Sequence, residues 1–316
     1  MTIFIARRVA RAFVLVVIVA SAAMLILHLA PGDPFSGLET PPAQAAFERS
    51  RHGLDRPFVV QYADWLSDFL RLDFGDSIRF KQPVVELLVE RVGNTILLGT
   101  FALVLALGLG LPAGVLTGQG RDGPLSWGIG AVSVLLLSTP PLITTLLCLL
   151  VASRTGWFPT GGLGIASSSD PVEMLTTAFR YMTLPALALA LPIAASLERL
   201  QSQALGEALR DPCVVAARAR GISPRRVLWV HAWRLSLKPV LGVLGIVLGS
   251  VLSGSFVVEL VMTWPGLGGL MYAALEARDL HLAAGCAAVG AALLSAGILA
   301  TDIALATVDP RISEPT

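Results

Sequence analysis

The sequence predicts an all-α membrane protein with six transmembrane helices. Two observations carry that reading. Of 316 residues, 54% are hydrophobic and only 14% charged, with a mean hydropathy of +0.73, whereas an ordinary soluble domain is about a quarter charged. A water-facing core cannot hide that much apolar surface. The apolar residues also fall in runs long enough to cross roughly 30 Å of hydrocarbon, separated by charged segments.

The first run spans Ala12 to Gly32, preceded by Arg7, Arg8 and Arg11. It is too long for a signal-peptide core and no small-residue cleavage site follows, so it is a retained first span with its start in the cytoplasm. Pro31-Gly32-Asp33-Pro34 ends it. From Phe35 to Arg91 the chain is polar and of mixed charge, which by alternation places it outside. Tyr62, Trp65, Phe69 and Leu72 share a helical stripe there, as in a small helical cap. Its acids have no histidine partner and suggest no active site.

The second span is expected over about Val92–Thr117, the third over Leu125–Ala152 and the fourth over Tyr181–Leu197, kinked by Pro185 and Pro192. The fifth runs over Pro239–Val258 and the sixth over Leu282–Thr307. Both termini then lie in the cytoplasm, and the loop 198–238 carries eight Lys/Arg against three acids, in keeping with a cytoplasmic position. This divides the chain into residues 1–91 (first span and external loop), a core of 92–308 and a tail of 309–316. Ala106, Gly110, Gly114 and Gly118, and Gly245, Gly249 and Ser253, recur every four residues, so small faces let helices approach in lipid. Asp302 is the one acid inside an expected span. An intramembrane charge suggests function, but its place near the helix end equally suits snorkelling or end pairing.

Asp211 to Pro239 is the distinctive stretch. Asp211-Pro212 and Ser223-Pro224 each read as an N-cap followed by proline at the first helical position. Gly221 stands where a left-handed C-cap is needed. A short helix, a sharp corner and a second helix leading into the fifth span follow. Cys213, Ala216, Ala217 and Arg220 have the spacing of one face, whose small side chains suit docking into a groove on another protein.

Ala216-Ala217-Arg218-Ala219-Arg220-Gly221, with Pro239 eighteen positions after the glycine, resembles the "EAA" loop of bacterial ABC importer permeases. With His231-Ala232-Trp233-Arg234, it is similar more narrowly to the dipeptide/oligopeptide/nickel permease family. Val215 stands where the general motif has glutamate, and Lys238 where leucine is usual. The same resemblance extends to His28–Pro34, Gly53–Pro57, Gln61-Tyr62, Trp65-Leu66, Asp73–Ser77 and Pro83-Val84. It continues through the external turn Thr263-Trp264-Pro265-Gly266-Leu267-Gly268, with Glu259 before it and Arg278-Asp279 after it, to Asp309–Ile312. Trp-Pro-Gly-x-Gly also reads on its own as a tight turn, with its tryptophan at the membrane interface.

The resemblance implies a type I ABC importer permease in the bacterial inner membrane. Pro212, Ala216, Ala217, Arg218, Ala219 and Gly221 would form the coupling helix that docks on an ATPase. It implies as partners a second related permease, two cytoplasmic ATPase subunits and an external solute-binding protein, with no nucleic acid. ATP and magnesium would sit on the ATPase subunits and this chain would bind no cofactor. Its cargo would be di- or oligopeptides, or alternatively nickel, glutathione or another small solute. No G-x-x-x-x-G-K-[ST], H-E-x-x-H or G-x-S-x-G occurs, so no ATP site or hydrolase chemistry of its own is expected. Three separated cysteines and four scattered histidines suggest no metal site or disulfide framework, and no His/Cys/Met cluster lines the spans as a metal path would need. A stand-alone secondary transporter would call for inverted repeats and paired intramembrane charges, and a lone Asp302 argues against it.

Overall fold

A computed structural model describes residues 2–31, 35, 42–51, 53–120, 123–164 and 171–308. Asp309–Ile312 lies outside them. The helices are α1 (Thr2–Leu29), α2 (Pro42–Arg51), α3 (Phe58–Leu70), α4 (Val84–Gly118), α5 (Pro124–Leu137), α6 (Pro141–Thr155) and α7 (Pro171–Ala208). There follow α8 (Pro212–Ala219), α9 (Pro224–Arg226), a π-helical segment (Val227–Ala232), α10 (Trp233–Val261), α11 (Leu267–Ala277) and α12 (Leu280–Val308). Among the described residues five helices are long and apolar enough to cross a membrane, six spans in all if α5 and α6 count as one.

The expected third span is not a single helix. α5 and α6 meet at a bend of 113°, because Pro140 and Pro141 in succession supply no N–H and clash with a continuing helix. The hydroxyls of Ser138 and Thr139 donate to the carbonyls of Val134 and Leu135, at 2.9 and 2.6 Å, satisfying acceptors at the break. The fourth span is longer than expected. Pro185 and Pro192 are carried inside α7, which runs on to Ala208.

The chain forms two compact units. The first comprises Thr95–Pro265 and the chain from Leu294 onward. Its main core packs Leu98 of α4, Leu189 and Leu197 of α7, Val247 and Val251 of α10, and Trp264. The glycine stripe of α4 does what its spacing predicts. A Cβ on Gly110 would lie 2.6 Å from the Ala194 carbonyl oxygen, and one on Gly118 2.6 Å from that of Ser202. α4 and α7 therefore touch backbone to backbone. The α10 stripe is looser: Gly245 and Gly249 would meet only side-chain carbons of Ile298 and Leu294, at 3.7 Å.

The second unit comprises Thr2–Asn94 and Gly266–Leu293. An aromatic file runs His28–Phe58–Tyr62–Trp65–Phe69–Phe74, with neighbouring ring centroids 4.2 to 6.1 Å apart. It packs α3 against Ala20 and Met24 of α1. Leu72 does not belong to the stripe: it lies past the end of α3, at φ 65° and 76% exposed. Asp279, wholly buried, accepts from Ser77 Oγ at 2.6 Å and from the Arg79 N–H at 3.2 Å. It also caps α12 through the Leu282 N–H. One carboxylate thus ties residues 73–83 to the α11–α12 corner.

Candidate functional site

The short helix α8 is built as its sequence dictates. The Asp211 carboxylate accepts from the Cys213 N–H at 2.8 Å and Pro212 occupies the first turn. Gly221 follows the C-terminus at φ +80°, in the left-handed region, and the Ile222 N–H closes the turn on the Ala217 carbonyl at 3.4 Å. Hydrogen bonds from the Cys213 thiol and backbone N–H hold the Asp211 carboxyl below the usual carboxylate range, and Asp211 raises the Cys213 thiol in return.

Val214 and Ala217 point inward, against Leu205, Ala208, Val227 and Ala232. Pro212, Cys213, Val215, Ala216, Arg218, Ala219, Arg220 and Gly221 are exposed. The face expected from Cys213, Ala216, Ala217 and Arg220 is therefore divided: Ala217 belongs to the seat of the helix, and the other three to its free surface. The cause is Val214, whose larger apolar side chain wins the interior and takes the residue three places on with it.

The second helix departs further from expectation. Ser223 makes no side-chain cap bond. After Arg226 the helix widens into a π-segment, the Trp233 N–H bonding to the Leu228 carbonyl five residues back. It narrows again into α10, with Pro239 inside.

A buried polar cluster lies where α4, α7 and α10 meet. Thr117 Oγ1 donates to Glu198 Oε1 at 2.5 Å. Gln201 Nε2 donates to Ser236 Oγ at 2.8 Å, and Ser236 Oγ to the Trp233 carbonyl at 2.9 Å. Glu198, Gln201 and Ser236 are all at least 98% buried. Sequence reading assigned Glu198 and Gln201 to the basic loop and missed the cluster. Their i, i+3 spacing, directly after an apolar run, was its available signal. Glu259, outside the expected fifth span, is likewise an acid inside α10, 1% exposed and accepting from Thr95 Oγ1 at 2.8 Å.

α6, α10 and α12 border an open groove of about 960 Å³. Its wall includes Pro141, Gly245, Gly249, Ser253 and the half-buried Asp302. The small residues of α10 that leave its packing loose are the ones that open this groove.

The external-turn residues divide between the units. The Trp264 side chain is buried in the first core, and the Trp264 backbone N–H donates to the Glu259 carbonyl at 2.9 Å. Pro265 closes that unit, and Gly266 and Gly268 open α11 in the other. Among the described residues no three of His, Cys, Asp or Glu stand together as metal ligands would.

Two family models account for nearly the whole chain. Residues 110–314 match the binding-protein-dependent transport system inner membrane component, and residues 1–99 match the N-terminal part of such membrane components. The oligopeptide transport system permease protein AppB of Bacillus subtilis is 35% identical, over 99% of both chains. A putative peptide permease protein of Brucella suis is 34% identical over 91% of this chain and 92% of its own. The dipeptide transport system permease protein DppB of Lactococcus lactis is 29% identical over 98% of each. Among solved structures, the inward-facing MetNI methionine ABC transporter superposes with a TM-score of 0.58 at 19% identity, covering 71% of this chain and 97% of that one. That likeness shows the fold: the matched part of the chain has the helical architecture of an ABC importer permease. With matches along its full length, the chain belongs to the ABC importer permeases, the multi-pass inner-membrane components of binding-protein-dependent transport systems.

Proposed function

We propose that this chain is one of two permease subunits of an ATP-driven importer of di- and oligopeptides. The observation that carries the coupling half of this reading is α8. It is a capped, two-turn helix with small and cationic residues on its free face, seated on the ends of α7 and α10. Such a helix has little core of its own and fits a groove on another protein, here a separate ATPase subunit. The peptide half is supported by the relatives AppB, DppB and the Brucella protein, which are named as oligopeptide, dipeptide and putative peptide permeases. With α8 in the cytoplasm, both termini lie there too. From Pro212 to Val258 the chain carries six cations and no acid, as a cytoplasmic loop should.

In this mechanism two ATPase subunits close on ATP and carry α8 with them. α8 moves the ends of α7 and α10 through its Val214–Ala217 seat. The helices then rotate so that the groove on α6, α10 and α12 opens outward to a peptide delivered by a solute-binding protein. Hydrolysis returns it inward. The coupling works only through contacts that differ between the two states. This chain supplies no catalytic residue and no cofactor site; ATP and magnesium belong to the partner.

Gly221→Val tests the reading. A β-branched residue at φ +80° is strained by about 1–2 kcal/mol or more, so the corner after α8 distorts. Peptide uptake and ATPase stimulation fall while the chain still inserts in the membrane. Unchanged uptake rejects α8 as the coupling element.

A further inference from the structure

The polar cluster of Thr117, Glu198, Gln201 and Ser236 stands where a signal from α8 must pass to reach the spans. α7 ends three residues before Asp211, and Ser236 is four residues past the π-segment. Thr117 lies in the last turn of α4. The cluster therefore holds one end of each of three helices. Its contacts are directional, unlike the alanine and glycine packing around it. Gly114 is central to this, since a Cβ there would lie 2.6 Å from Gln201 Cβ and 2.7 Å from the Glu198 carbonyl oxygen. With so little clearance, α7 cannot shift without either carrying α4 along or exchanging hydrogen-bond partners.

Two oxygens in this cluster, Glu198 Oε2 and Gln201 Oε1, are buried and accept no hydrogen bond among the described residues. A buried acceptor without a donor costs free energy. A displacement of the helices that brought a hydroxyl or amide donor to either oxygen would recover that cost. The π-segment beside it is a second stored irregularity, since wide turns insert a residue that an α-helix can expel.

We infer that Thr117, Glu198, Gln201 and Ser236 are positioning residues for coupling: a polar latch whose exchange of partners converts displacement of α8 into rotation of α4 and α10. The inference rests on the coupling reading above and adds to it the route by which the movement reaches the groove. The latch touches neither ATP nor solute.

The test uses the complex co-purified from native membranes and reconstituted in vesicles. Ser253 of the groove is replaced by cysteine after Cys148→Ser, with Cys213 left in place. Maleimide alkylation at position 253, resolved from that at Cys213 by peptide mass spectrometry, is timed with and without ATP. In the parent chain ATP changes the rate severalfold. In Gln201→Met and Thr117→Val, which keep volume but remove the hydrogen bonds, the change is reduced about tenfold, toward none. ATP hydrolysis stays within about twofold, and Thr117→Ser restores the response. A merely structural role would lower hydrolysis and response together and would not separate serine from valine. If the response survives in both variants, if hydrolysis falls in step with it, or if serine fails to rescue, the latch is rejected and the coupling reading stands. A parent complex whose Ser253→Cys labelling ignores ATP rejects the coupling reading, and the latch with it.

Discussion

Single side chains decide how tightly the helices of the first unit meet, and they do so unequally. Gly114 has no room for a methyl group, because the nearest atoms include the rigid Glu198 carbonyl oxygen at 2.7 Å. Gly114→Ala must push α4 away from α7 and costs about 1–3 kcal/mol, as overpacking does in close-packed interiors. Gly245, in the same type of stripe, would meet Ile298 at an ordinary 3.7 Å. Gly245→Ala is therefore neutral or stabilising by up to about 1 kcal/mol, through the helix propensity of alanine. Thermal unfolding in detergent separates the two. At the other end of the unit, Asp211 caps α8 only while ionised at full strength. Its carboxyl is held below the ordinary range in the folded chain by Cys213, so the contribution is present above the unfolded carboxylate pKa. It is lost as pH falls through the lowered folded value. Hydrogen exchange of the 212–219 amides accelerates in acid, and Asp211→Ala shows that faster exchange already at neutral pH. Asp211→Asn, which still accepts from the Cys213 N–H, shows little of it.

At the scale of elements, features with local causes were legible and those settled by competition were not. α8 and its corner could be read directly, because Asp211, Pro212 and Gly221 each act on their own backbone. Five expected spans appear because hydrophobic length needs no tertiary information. The third is apolar over the expected stretch but is broken into α5 and α6 instead of forming one helix. Pro140-Pro141 was visible, but the surrounding apolar run outweighed it, although two adjacent prolines remove two helix donors at once. The division of the α8 face needed knowledge that Val214 would win the interior. The π-segment follows no composition rule: its residues, Val227–Ala232, read as ordinary helix. The buried cluster was hidden for a related reason. Glu198 and Gln201 look like the start of a polar loop until α7 is seen to continue past them to Ala208.

For the whole molecule, the arrangement in the membrane determines which reading of function survives, and the chain carries its own reporters of it. Its three cysteines differ in setting: Cys213 is exposed on α8, Cys148 is partly covered within α6, and Cys286 is buried in α12. Only Cys213 lies outside the apolar helices, so a membrane-impermeant maleimide should find it alone. With α8 in the cytoplasm, labelling occurs in inverted vesicles and not in right-side-out ones. Docking adds a second expectation. Cys213 shares the free face of α8 with Ala216 and Arg220, so an ATPase bound there must cover it. In inverted vesicles stripped of peripheral proteins the label reacts quickly, and re-adding the ATPase slows it by about tenfold, as for a group moved from a surface to an interface core. Labelling from the opposite side would invert the topology and leave α8 with no ATPase to meet. Labelling from the expected side that is indifferent to the ATPase would keep the topology and remove α8 from the docking surface.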